Sequence, residues 1–247
     1  MTPPAAANSQ GLEEEIREYL VAHMPAQCAP PLLRLAFHDA GTYDVKTHTG
    51  GAHGAIRLLE EMSRPENTGW SAVAIELLRE VKDTYPDLSW ADLIALGGAA
   101  AVEKCGGPTI RVGLGRVDAT EPAPDHRLPA SDEGADMLRA HFEMMGLGAL
   151  ELVALSGAHT LGKANGRPFT PDPYVFSNSY YQQLLAGEDP PGTGLLPADR
   201  ALLDDPDARA FVELYARDEA RFFRDFRDAY RRLTWLGGEA PAFPEGE

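Results

Sequence analysis

Pro30-Pro31-Leu32-Leu33-Arg34-Leu35-Ala36-Phe37-His38-Asp39-Ala40-Gly41 is the stretch from which the fold is read. It opens on prolines, runs through an apolar segment and stops at a glycine, the start and stop signals of a short buried helix. Arg34 and His38 are four residues apart, so a helix projects both side chains from one face. Burying a guanidinium and an imidazole there is costly unless something uses or satisfies them. One reading is a core histidine beside an arginine that reaches a carboxylate. The other is a general acid–base group next to a fixed positive charge, a pair suited to breaking a polar bond.

The rest of the chain narrows the choice. Its 247 residues make one large domain or two intimate halves with a substantial core. Hydrophobic content of 44% and charged content of 24% are those of a soluble globular protein, and no apolar run reaches membrane-spanning length. A net charge of −16 argues against nucleic acid, whose phosphates need a basic surface. Met1 to Gln10 lacks a basic flank and an apolar centre, so it reads as a flexible tail rather than a secretory signal. The two cysteines, Cys28 and Cys105, are far apart and outside any metal-ligand spacing. They are expected to be free thiols in an intracellular, reducing compartment such as the cytosol or a plastid stroma.

Helical periodicity dominates. Helices are expected over Leu12–Met24, around Arg34–His38, over Ser71–Tyr85, from a Ser89 cap to Gly106, from Ser131 to Met145 and over Ala149–Leu155. Four more are expected near Ser179–Ala186, Asp199–Leu203, Pro206–Tyr215 and Asp218–Leu233. Residues 41–69 form a long connection beside the candidate site, residues 107–130 an irregular crossing, and residues 163–178 a loop with short extended pieces. The fold is mainly α. His38, His48 and His53 match no zinc pattern and have no acidic or thiol partner in the sequence.

A second histidine lies far along the chain, in Gly157-Ala158-His159-Thr160-Leu161-Gly162. Alone it reads as a core histidine. Together with Arg34 and His38 it has the parts for a haem between two helical halves, one histidine binding iron and the other working on the open face.

Four segments then carry a resemblance: Leu33-Arg34-Leu35-Ala36-Phe37-His38-Asp39-Ala40-Gly41-Thr42-Tyr43, Thr49-Gly50-Gly51, Ala154-Leu155-Ser156-Gly157-Ala158-His159-Thr160-Leu161-Gly162, and Phe176-Ser177-Asn178-Ser179-Tyr180-Tyr181. In this order they resemble the class I haem peroxidases, the intracellular ascorbate and cytochrome c peroxidases, from about Leu12 to Leu236. Arg64-Pro65-Glu66-Asn67 and Phe37 look most like the ascorbate peroxidase-related branch.

The resemblance implies a haem peroxidase fold in a single domain, residues 11–240. Its distal half spans about 11–120 and its proximal half about 131–240, with 1–10 as the tail. It implies one haem b, hydrogen peroxide and a small-molecule reductant. His159 then corresponds to the iron ligand, His38 to the distal base, Arg34 to the distal cation, and Asn67 to the asparagine that accepts the Nδ1–H of the distal histidine. The aspartate paired with the iron ligand is expected at Asp205, directly before Pro206, with Asp204 as the alternative and helix capping as the structural reading of either.

Three departures bear on the reductant. Phe37 stands where ascorbate peroxidases have a distal tryptophan, and Phe169 where they have a proximal one, so neither place supplies an indole N–H. The second oxidising equivalent is then expected on the porphyrin or a tyrosine. The ascorbate-binding lysine falls at Ala26, and the loop of the binding arginine is shortened to Lys163-Ala164-Asn165-Gly166-Arg167-Pro168. A phenolic or aromatic donor is therefore expected rather than ascorbate. Thr160, Thr170, Asp172, the Val175 carbonyl and Ser177 match a monovalent cation site, with potassium as its ion. The competing function is a non-catalytic haem-binding or sensor relative.

Overall fold

The computed structural model describes residues 6–243. Among the described residues, twelve α-helices, three short 3₁₀ helices and one hairpin of two-residue strands make up the regular structure. Helix α1 runs Ala6–His23, six residues earlier than Leu12, so the expected tail is helical from Ala6 and residues 1–5 lie outside the described residues.

Helix α2, Ala29–Ala40, carries the deciding stretch. Pro30 and Pro31 sit in its first turn, where the missing N–H groups have no intrahelical partner to lose. Its N-terminal half buries Leu32, Leu33, Leu35 and Ala36 against α6, Trp90–Lys104, with α1 packed on the same helix. Ser89 caps α6 as expected, its hydroxyl accepting from the Asp92 amide at 3.0 Å.

The connection after α2 holds a 3₁₀ turn, Ala55–Arg57, and a one-turn α3, Leu59–Met62. Asp39, 1% exposed, ties this loop down by accepting from the Gly54 and Ile56 amides at 2.8 and 3.3 Å. The helix expected over 71–85 is two, α4 (Ser71–Leu77) and α5 (Arg79–Thr84), broken at Leu78.

Residues 107–130 are irregular, and several of their amides bond carboxylates from the helices. Glu13 accepts from Val112 and Gly113, Asp92 from Gly115 and Arg116, and Glu61 from Ala123. Arg116 closes a buried ion pair to Asp92 at 2.8 Å and lies over the Trp235 ring at 4.0 Å.

Helix α7 spans Ala135–Met144; Ser131-Asp132-Glu133 precede it as a turn, and Gly134 takes the N-cap position. Helix α8 (Ala149–Ser156), α9 (Ser179–Ala186), α11 (Pro206–Arg217) and α12 (Glu219–Leu233) pack together as a second group, with a short α10, Pro197–Ala201, beside α7. Strands β1 (Lys163–Ala164) and β2 (Arg167–Pro168) are joined by Asn165-Gly166. Both turn residues have positive φ, 50° and 78°, as a tight hairpin requires.

A continuous apolar cluster runs through both groups of helices. The Tyr230 hydroxyl donates to the Ala95 carbonyl at 2.9 Å, stitching α12 to α6 over Gly98. A Cβ on Gly98 would meet that hydroxyl at 2.1 Å, so only glycine fits there. Cys28 and Cys105 are both free; burial pushes the Cys105 thiol up to about 11. Among the described residues no helix is long and apolar enough to cross a membrane.

Candidate active site

Helix α2 holds Arg34 and His38 one turn apart, and the Arg34 Nε–H donates to His38 Nε2 at 3.2 Å. On its other nitrogen His38 meets Asn67 Oδ1 at 2.8 Å. An amide oxygen only accepts, so Nδ1 carries the proton and Nε2 keeps its lone pair. Asn67 is 1% exposed and is itself held by donating Nδ2–H to the Glu61 carbonyl at 2.9 Å. The loop turn Arg64–Asn67, anchored by its own backbone bonds, thus sets the tautomer of a histidine on α2.

Burial, then the Arg34 charge, lowers the His38 pKa to about 3, with His159 adding to the fall and the Asn67 bond opposing it. The imidazole is neutral at any ordinary pH, and its basic nitrogen sits beside a cation. A neutral base and a positive charge aimed at one point can take a proton from one oxygen and stabilise charge on its neighbour.

Trp70, unassigned in the sequence, completes this side. The Arg34 guanidinium lies over its ring at 4.4 Å, and His38 meets the same ring edge-on at 4.9 Å. The indole N–H donates to the Glu66 carbonyl at 2.9 Å, and Arg34 Nη2 donates to that oxygen at 3.3 Å. The available signal was its position three residues after Asn67, on the turn that leads into α4. Phe37, half-buried, stacks near Phe142 with centroids 6.3 Å apart and meets His38 edge-on at 6.1 Å.

His159 lies in the 3₁₀ turn Gly157–Thr160 that follows α8. A Cβ on Gly157 would meet the Tyr181 hydroxyl at 2.3 Å and Phe222 at 2.5 Å, so glycine lets this turn sit against α9 and α12. Gly162, at φ 83°, ends the turn in a left-handed conformation and packs on Pro30 of α2. This contact is one of those that hold the second histidine motif against the first.

His159 Nδ1 bonds Asp199 Oδ1 at 2.7 Å. Asp199, 3% exposed, belongs to the first turn of α10 and also accepts from the Leu196 amide at 2.7 Å. The expected partner was Asp205, and this is a correction. Asp205 caps α11, accepting from the Asp207 and Ala208 amides at 2.9 and 3.4 Å, and it pairs with Arg139. Burial opposes its ionisation, but Arg139 and those amides outweigh it and hold the carboxyl below the usual range. Asp204 is exposed. Capping wins there because Pro206 fixes Asp205 at a helix start, whereas Asp199 follows Pro197 into a helix that faces His159.

Phe169 stacks on His159 with centroids 4.4 Å apart and planes within 7°. Its ring offers no polar atom to Asp199. The Tyr180 hydroxyl does, donating to Asp199 Oδ1 at 2.9 Å.

The residues expected to hold a cation are partly assembled. Thr160 Oγ1 reaches the Val175 carbonyl and the Ser179 hydroxyl at 3.3 Å each, Thr170 donates to the Thr160 carbonyl at 2.9 Å, and Ser177 donates to Ser179 at 2.9 Å. The Asp172 side chain is exposed and joins only through its carbonyl, which accepts from the Val175 amide at 3.0 Å. Lys163 and Arg167 are both exposed on the hairpin.

Known proteins match the chain over most of its length. A family model described as "Peroxidase" matches residues 12–218. The chain is 47% identical over 236 residues to "L-ascorbate peroxidase 5, peroxisomal" of Arabidopsis thaliana, covering 93% of this chain and 84% of that one. It is 47% identical over 216 residues to "L-ascorbate peroxidase 2, cytosolic" of the same plant, with 85% of each chain covered. With "L-ascorbate peroxidase 1, cytosolic" of Oryza sativa subsp. japonica it shares 42% identity over 243 residues, 95% of this chain and 96% of the relative.

Proposed function

This chain belongs to the peroxidase family, in the ascorbate peroxidase branch, and on that premise we propose how its residues reduce hydrogen peroxide and which donor supplies the electrons. The enzyme is a haem peroxidase, an oxidoreductase acting on hydrogen peroxide.

The residues fit a haem b. Among the described residues no hydrogen bond reaches His159 Nε2, and the Nδ1 bond to Asp199 leaves the lone pair on that nitrogen. A neutral imidazole backed by a carboxylate is a strong iron ligand. His159 would hold the iron, and His38 and Arg34 would act on the peroxide. When bound, haem supplies the electrons that cleave the O–O bond. His38 Nε2 takes a proton from one peroxide oxygen and returns it to the other as that oxygen leaves as water. Arg34 stabilises the charge that grows during cleavage, and Asn67 keeps the His38 lone pair turned toward the substrate. The observation that carries this reading is His38 held neutral between Asn67 Oδ1 and the Arg34 guanidinium.

The donor is a small phenol or other aromatic. Ascorbate is an anion and needs a placed cation; Ala26 offers none, and Lys163 and Arg167 are exposed on a hairpin without a defined partner geometry. We also assign Thr160, Thr170, Asp172, Val175 and Ser177 to a potassium ion, tested by whether dialysis into potassium-free buffer lowers activity. The free thiols fit a reducing intracellular compartment, cytosol or plastid stroma, which fractionation tests.

The deciding experiment mixes the haem-loaded protein with hydrogen peroxide, follows the Soret band, and then adds guaiacol and ascorbate separately. A Soret shift with faster return on guaiacol is expected. No shift would make the chain a non-catalytic relative, and equal return on ascorbate would overturn the donor assignment.

A further inference from the structure

One oxygen of Asp199 serves two donors. His159 Nδ1 lies 2.7 Å from Oδ1, and the Tyr180 hydroxyl lies 2.9 Å from the same atom, while Oδ2 is occupied by the Leu196 amide at 2.7 Å. Tyr180 is fully buried, with its ring edge-on to His159 at 6.1 Å between centroids. The remaining ring against His159 is Phe169, which has no hydrogen to give. A hydroxyl that donates to a carboxylate oxygen draws off part of the charge that oxygen would lend to a second N–H.

We propose that Tyr180 is a positioning residue that tunes His159: by sharing Asp199 Oδ1 it limits the electron density the carboxylate passes to the imidazole, and so to whatever metal His159 binds. Burial supports the arrangement. It raises the Tyr180 pKa well above its ordinary value, and Asp199 raises it further, so the phenol keeps the proton it donates. Packing fixes the ring, since Tyr181 lies edge-on to it at 5.0 Å and anchors the same helix by donating to the Val153 carbonyl at 2.9 Å. The hydroxyl therefore has little freedom to find another acceptor.

The inference rests on His159 as the axial ligand, and the test separates the two. In the ferrous, haem-loaded protein, resonance Raman reads the iron–histidine stretch, and potentiometry reads the ferric/ferrous midpoint. Absence of an iron–histidine stretch in the parent would remove His159 as ligand. With the stretch present, Tyr180→Phe frees Asp199 Oδ1 for His159 alone, so the stretch should move to higher frequency and the midpoint to more negative potential. An unchanged stretch and midpoint would overturn the role of Tyr180. Because Tyr180→Phe leaves Asp199 with a lost donor in the core, 3-fluorotyrosine placed at 180 gives a second measurement with the packing kept. Its more acidic phenol is a stronger donor, and both readouts should move the opposite way; movement in the same direction as Tyr180→Phe would also overturn the proposal.

Discussion

His159 Nδ1 and Asp199 Oδ1 stand 2.7 Å apart although they are forty residues apart in the chain. This bond sets which nitrogen of His159 is free, and Asp205, the expected partner, caps a helix instead. Asp199→Asn should weaken haem binding or peroxide turnover by about 10- to 100-fold, the usual cost of removing a carboxylate behind a metal-bound histidine. Asp205→Ala should leave the Soret band unchanged and cost about 1 kcal/mol of stability as a lost cap in denaturant unfolding. The reverse pattern would return the role to Asp205.

The distal pair separates catalysis from cofactor binding. His38→Ala should slow the reaction with peroxide by about 10²–10⁴-fold, the range for loss of a general acid–base group. Arg34→Ala should slow it by about 10²-fold or more through lost charge stabilisation. Both variants should bind haem as the parent does, read by titration of the Soret band. Parent-like rates in stopped flow would remove either residue from the mechanism.

The low His38 pKa gives a pH signature. An ordinary histidine protonates near 6.5, whereas His38, lowered to about 3 by burial and by Arg34, stays neutral far below that. The bimolecular rate with peroxide should therefore show no break near pH 6.5. The unfolded chain binds a proton at this residue between about pH 6.5 and 3 while the native one does not. Stability from this site is thus full above pH 6.5 and falls as pH drops through that window. His38→Leu, which removes the group, should flatten that part of the stability curve measured by urea unfolding; an unchanged acid limb would show that His38 is not buried neutral.

Trp70 is expected to act on the chemistry through Arg34. Its ring carries the guanidinium at 4.4 Å, and both side chains share the Glu66 carbonyl. Trp70→Leu should lower the peroxide rate about 3- to 30-fold, from loss of a cation–π contact of roughly 1–2 kcal/mol, while Trp70→Phe should retain most of it. Equal rates in both variants would make Trp70 a packing residue only.

The sequence exposed the helices because periodicity and punctuation are local: Pro30, Ser89 and Pro206 mark starts that the structure keeps. Arg34 and His38 were legible for the same reason, since a spacing of four fixes two side chains on one helix face. The break at Leu78 was not, because an apolar run reads alike through one helix or two. Trp70 was passed over because nothing local distinguishes an indole that carries an arginine from one that fills a core.

By itself, then, the sequence determined a mainly helical chain with two histidine motifs, and it singled out Arg34, His38 and Asn67 as candidate site residues. Tertiary structure alone decided what stands behind His159. Asp199, Asp204 and Asp205 all lie near helix starts, and local chemistry allows each to cap or to pair. Only the packing of α10 and α9 around the Gly157–Thr160 turn selects Asp199, and only that packing brings the Tyr180 hydroxyl to the same oxygen. A hydrogen bond between groups distant in sequence is set by where whole helices sit, and the separation of two residues along a chain does not encode that placement.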